Sequence, residues 1–259
     1  MKNEFSKLWE FLKRSHERLF IAYKHFQIWE AMQEIRDPFQ IGKKQAEKNV
    51  KTMNNFINFF GPTMDAHRKI FAIELVKFFD PNPDSLSIVK IINFAKANLK
   101  KLTLETFKES NSQRLNIDEL SKNYDGIKET DLNKCRELLF TNGLNLDEKR
   151  FTKGSLIGKL KKFRNQDLAH DQIKKKKVSL SAEEIEKLFK LAENILNLLS
   201  QKLNRNSWWH FSSEDSTKSQ TKLIFEYLQR FEPYRLKEIK KNRKRKLHNY
   251  YTRRKPSRL

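Results

Sequence analysis

From Asn3 to about Glu34 no glycine or proline interrupts the chain, and apolar side chains return at Phe5, Leu8, Leu12, Leu19, Tyr23 and Phe26. Steps of three, four and seven residues put these side chains on one side of a helix with 3.6 residues per turn. Trp9 and Trp29 thicken the stripe, and a long helix with one apolar face has to bury that face. The whole chain continues the pattern. Its 259 residues hold only six glycines and six prolines, while Lys, Leu, Glu and Phe abound, which favours long helices with short connections and an all-α fold.

Punctuation divides the rest. Asp37-Pro38 ends the first helix, and a second is expected from about Ile41 to Phe60, closed by Gly61-Pro62, with Phe56, Phe59 and Phe60 in the core. Thr63 then caps a third helix that stops at Asp80-Pro81, and Ser85 caps a fourth through Phe94. Residues 103–152 read as an irregular insertion of short helical pieces between turn signals, with Thr130 capping the piece through Phe140. Ser181 and Glu184 form a capping box that opens a strong helix to about Leu203. Trp208-Trp209-His210-Phe211 is read as a plug that closes a core. Residues 1–203 thus form a helical bundle, followed over 204–259 by an extension with a helix from Thr217 to Arg230 and a basic tail.

Charge bears on the partner. Lys and Arg number 54 against 32 Asp and Glu, a formal net charge of +22, and a field of that sign attracts polyanions, nucleic acid foremost. Residues 234–259 alone carry twelve Lys and Arg against one Glu. Arg243, Lys244, Arg245, Lys246, Arg253 and Arg254 in this tail, interleaved with Tyr234, His248, Tyr250 and Tyr251, suit an RNA-binding arm. The lone Cys135 excludes an internal disulfide and reads as a small core residue. No apolar run is long enough to span a bilayer, and Met1-Lys2-Asn3-Glu4 lacks a signal-peptide profile, so the cytoplasm is expected. His16 and His25 sit among charges at no metal-ligand spacing and are read as surface histidines.

The chemistry concentrates in a helix from about Ser155, whose Leu156, Ile157, Leu160, Phe163 and Leu168 face inward. Gly154-x-x-x-Gly158-Lys159 is one residue short of a phosphate-binding loop and lacks the hydroxyl after the lysine. Lys159, Lys161 and Lys162 form a basic face that continues through Lys174, Lys175, Lys176 and Lys177. Within it stand Arg164, Asn165 and His170. The guanidinium is a permanent fork matched to phosphate oxygens, and histidine titrates near neutrality. Six residues place Arg164 and His170 about 120° apart on a straight helix. Either the helix ends near Ala169 or a second subunit completes the site. A purely structural role is the alternative: Arg164 paired with Asp167, and His170 at a helix end facing the dipole.

Arg164-Asn165-Gln166-Asp167-Leu168-Ala169-His170 resembles the signature of the HEPN superfamily, an arginine and a polar residue followed by a histidine four to six positions on. Upstream, Glu74-Leu75-Val76-Lys77-Phe78-Phe79-Asp80-Pro81 and then Ser85-Leu86-Ser87-Ile88 are similar to the abortive-infection type, in which a helix ends at an aspartate and a Leu-Ser step opens the next. The resemblance covers roughly residues 5–200. It departs at Gln166, where many relatives are basic, and at Gln172, where a regulated branch has tyrosine. It implies a HEPN-like helical bundle, a metal-independent and cofactor-free endoribonuclease using Arg164, Asn165 and His170, a homodimer with facing motifs, and a toxin or phage-defence role with an antitoxin as possible partner. A non-catalytic RNA-binding or scaffold HEPN domain is the alternative.

Overall fold

The computed structural model describes residues 3–82, 85–112, 117–122, 124–167, 179–203, 209–211 and 216–253. The fold is all-α, with one minimal hairpin. In order come α1 (Glu4–Glu34), α2 (Pro38–Ile41), α3 (Lys43–Asn55), α4 (Ile57–Phe78), α5 (Ile88–Ala97), a 3-10 turn, α6 (Leu104–Ser110), α7 (Ile117–Lys122) and α8 (Glu129–Thr141). Strands β1 (Leu144–Asn145) and β2 (Arg150–Phe151) follow, then α9 (Leu156–Asp167), α10 (Ala182–Leu203) and α11 (Thr217–Arg253). The chain divides into two compact units. The first holds Met1–Gln27 with Asp65–Asp215, and the second Ile28–Met64 with Ser216–Leu259. No helix among the described residues is long and apolar enough to cross a membrane.

In the first unit the expected stripe of α1 is buried: Phe5, Leu8, Leu12, Leu19, Tyr23 and Phe26 are all core. Phe26 meets Phe71 edge-on at 5.6 Å and lies 5.7 Å from Phe189, and the Phe189 ring is 5.1 Å from Tyr23. Phe and Tyr rings prefer such tilted contacts to flat sandwiches. Of the expected plug Trp208-Trp209-His210-Phe211, Trp209 and Phe211 pack as read, His210 is exposed, and Trp208 lies outside the described residues. Asn197 on α10 donates to the Trp209 carbonyl and accepts from its N–H, both at 2.8 Å, and Phe211 is fully buried. His16 is not a surface residue: it stacks 4.8 Å from Trp209 and 5.5 Å from Phe211. Burial, opposed by Glu17 and Glu193, holds its imidazole below the ordinary range. His25 is likewise half-buried, its Nδ1 2.6 Å from Nδ1 of His67.

In the second unit Met32, Ile35, Met53, Phe60 and Phe225 form the core. Lys218 pairs with Glu30 at 2.8 Å and Glu34 at 2.7 Å, and Lys222 with Glu34 at 2.6 Å, which ties α11 to the end of α1. The stop expected at Gly61-Pro62 does not occur, because α4 begins at Ile57 and runs through Pro62. A residue before proline is crowded by the ring at both its N–H and its Cβ, and Gly61 lacks the second of these. Thr63 does not cap; its hydroxyl donates to the Phe59 carbonyl at 2.7 Å inside the helix. The break falls instead at Phe56, and Phe59 is 61% exposed rather than core. Pro233 also lies inside a helix. Arg235 bonds Glu232 at 2.7 and 2.6 Å and Asn55 donates to Glu232 at 2.7 Å, holding α11 across the proline. The tail is therefore helical through Arg253.

Two further caps differ from expectation. Ser87 rather than Ser85 caps α5, accepting from the Lys90 N–H, and α8 starts at Glu129, with Asp131 accepting from the Lys128 N–H at 3.0 Å in place of a Thr130 cap. The capping box at Ser181 and Glu184 forms as read, both bonds at 3.1 Å. Cys135 is fully buried, and burial pushes its thiol up to about 12. A thiol reagent at pH 8 is expected to leave Cys135 unmodified in the native protein and to label it stoichiometrically in denaturant; labelling at the rate of a free thiol without denaturant would contradict this packing.

Candidate active site

The motif helix α9 is set by a hairpin that the sequence did not announce. In β1 and β2, Leu144 faces Phe151 and Asn145 faces Arg150. Thr152 N–H donates to the Gly143 carbonyl at 2.8 Å and Ile157 N–H to the Asn142 carbonyl at 3.1 Å. Ser155 is the N-cap: its hydroxyl donates to the Thr152 carbonyl at 2.6 Å and accepts from the Gly158 N–H at 3.1 Å. Both glycines are needed. Gly143 has φ +95°, and a Cβ there would lie 1.8 Å from Ser155 Oγ; a Cβ at Gly158 would lie 2.2 Å from the Thr152 carbonyl oxygen. The near-miss phosphate loop is thus a packing device, and the strand before it is only two residues long.

From that anchor the helix turns Ile157, Leu160 and Phe163 into the core and leaves Lys161, Lys162, Arg164 and Asn165 exposed. Arg68 of α4 lies over the Phe163 ring at 5.7 Å and donates to Asp65 at 3.0 Å, so a cation from outside the sequence motif packs on the motif helix. Lys161 Nζ sits 4.2 Å above the Phe151 ring. Lys159 is turned to Glu184 of α10 at 2.6 Å, and this bond foremost holds the Glu184 carboxyl below its usual range.

Arg164 Nη1 donates to Asn165 Oδ1 at 3.2 Å. The two neighbours share the exposed surface of the last turn of α9, where a guanidinium steadied by an amide can meet phosphate oxygens. His170, Leu168 and Lys174, Lys175, Lys176 and Lys177 lie outside the described residues, as does Arg254. Arg243, Lys244 and Arg245 are exposed on α11, and Lys246 and Arg253 belong to the same helix with side chains outside the description. The upstream motif is structural. Arg18 of α1 pairs with Glu74 at 2.7 Å and also donates to the Leu86 carbonyl at 3.4 Å, joining the two halves of the segment. Ser87, from the Leu-Ser step, is the α5 cap. Among the described residues no three His, Cys, Asp or Glu side chains group to hold a metal.

Two outcomes test this geometry. Gly158→Ala is expected to cost about 1–3 kcal/mol by forcing α9 off the Thr152 carbonyl, read as a lowered denaturant midpoint; an unchanged midpoint would mean that the contact is slack. The Lys159–Glu184 pair, partly exposed at 42% and 24%, contributes about 0.5 kcal/mol. Because the folded carboxyl is depressed from 4.5, that contribution is present above the unfolded value and is lost as pH falls through the folded one. The stability gap between wild type and Lys159→Met should therefore be seen at pH 7 and close in acid; a gap independent of pH would assign it to packing.

The sequence profile of the AbiU2 HEPN family matches residues 2–220. No curated protein and no solved structure matches the chain. With an all-α bundle, the Leu-Ser cap and the Arg-Asn pair inside the matched span, the chain belongs to the AbiU2 family of HEPN proteins.

Proposed function

We propose that this AbiU2-family protein is a metal-independent endoribonuclease that serves abortive infection in the cytoplasm, acts as a homodimer and is restrained by an antitoxin. The observation that carries the reading is the exposed Arg164–Asn165 pair at the end of a rigidly anchored helix, flanked by Lys161 and Lys162. RNA brings its own nucleophile. His170 takes the proton of the 2′-hydroxyl, the O2′–P bond forms as the P–O5′ bond breaks, and the departing 5′-oxygen takes a proton from water. Arg164 neutralises charge that builds on the non-bridging oxygens, and Asn165 holds the guanidinium in position. A six-residue separation between Arg164 and His170 favours a site built near a two-fold axis, where each protomer can complete the other.

The test is purified protein on total RNA with excess EDTA, beside Arg164→Ala and His170→Ala. Wild type should cut and leave 2′,3′-cyclic phosphate ends, and each variant should lose cutting by at least a hundredfold with its helical content unchanged. Undiminished cutting by either folded variant, or loss of cutting with EDTA, would overturn the mechanism.

A further inference from the structure

The inner face of α11 packs within its own unit, beside a cavity of about 500 Å³ lined by Ile35, Asn49, Phe225 and Gln229. Phe225 is core, Gln229 bonds Asn49, Glu232 accepts from Asn55, and Arg235 lies 4.7 Å over Phe56. Its other face is bare. Leu223, Ile224, Tyr227, Phe231 and Tyr234 are 45, 61, 48, 64 and 66% exposed, and at 100° per residue they fall within an arc of about 100°. Arg230, Lys237 and Lys241 follow one edge of that arc, and all three are exposed. The Arg230 guanidinium lies 5.8 Å from the Tyr227 ring centre, and the Phe231 and Tyr234 rings are 6.4 Å apart. Nearly all of α11 also lies beyond residue 220, where the family match ends, so the family supplies no role for this face.

We propose that this face is a stacking surface for single-stranded RNA, with Tyr227, Phe231 and Tyr234 as platforms for bases and Arg230, Lys237 and Lys241 as phosphate contacts. Charge decides against a second copy of the chain. From Thr217 to Arg253 there are twelve Lys and Arg against three Glu, so two such helices side by side would oppose like charges. Continuity decides against a helix from another protein. The stripe's next positions are Glu238, Lys241 and Arg245, so a packed seam would end after three turns, whereas a nucleic-acid strand needs only cations there. Rings that rise along the axis by about 6 and 4.5 Å can each take a base, and stacking tolerates any sequence because every base has a π-face. The choice of RNA over DNA rests on the ribonuclease reading; the stacking geometry does not.

The experiment is fluorescence anisotropy of the full chain with labelled 12-nucleotide probes of 2′-O-methyl RNA, which cannot be cut through its 2′-oxygen, alongside a duplex and a DNA strand of the same length. Tyr227→Ala/Phe231→Ala/Tyr234→Ala should weaken single-strand RNA binding at least tenfold while leaving the salt slope and the melting curve as they were. Arg230→Ala/Lys237→Ala/Lys241→Ala should instead flatten the log-log salt slope by about 2, at about 0.7 per lost contact. Wild-type affinity in the aromatic variant, equal binding of duplex, no binding by wild type, or a wild-type dimer that dissociates on the aromatic substitutions would each overturn the proposal, and equal binding of the DNA strand would overturn its choice of RNA. If ordinary RNA is not cut yet the 2′-O-methyl strand still binds through the three rings, the ribonuclease reading fails and the stacking surface stands.

Discussion

Exclusion of water from one stripe of α1 is the constraint on which the rest of this structure depends. Leu8, Leu12, Leu19 and Phe26 are at most 1% exposed, and a side chain of that size gains roughly 1.5–3 kcal/mol on full burial. The partners that cover it come from distant parts of the chain: Phe71 from α4, Phe189 from α10 and Phe211 from the plug. The plug is held by polar bonds suited to a buried setting. The Trp209 backbone uses both ends of the Asn197 amide, and the Phe211 N–H donates to Glu193 at 2.8 Å, so these backbone groups enter the core paired.

The motif helix inherits its direction from this core and its starting point from the hairpin. Arg164 follows Ile157 by seven residues and Leu160 by four, on the side that packs inward by period, and is exposed in the last turn of α9, while the close contacts at Gly143 and Gly158 fix where the helix begins. Positive charge is sorted by packing. Lys159 is drawn to Glu184 and Lys161 lies on Phe151, while Lys162 and Arg164 remain at the surface. A run of basic residues that looks uniform in sequence therefore divides into structural and surface members.

The second unit shows how one helix can serve two purposes. The side of α11 that carries Phe225, Gln229 and Glu232 is committed to packing, while the side with Tyr227, Phe231 and Tyr234 stays outside. Neither proline in the long helices breaks them, for different local reasons. Gly61 removes the Cβ that Pro62 would crowd, and the Glu232 network with Arg235 and Asn55 spans the turn at Pro233.

Periodicity, composition and the Ser181–Glu184 capping box by themselves determined that the chain is all-α, that α1 extends to Glu34, that Ser181 opens α10 and that Ile157, Leu160 and Phe163 are core, because these follow from local geometry. The order of the upstream segment and the Arg-Asn motif was enough to place the chain near its family. Tertiary structure decided what depends on distant atoms: the passage through Pro62 and Pro233, the burial of His16 beneath Trp209, the pairing of His25 with His67, the approach of Arg68 to the motif helix, and the hairpin anchored by Gly143 and Gly158. Caps and stops are choices between neighbouring residues of nearly equal propensity, and only the contacts made after folding separate them.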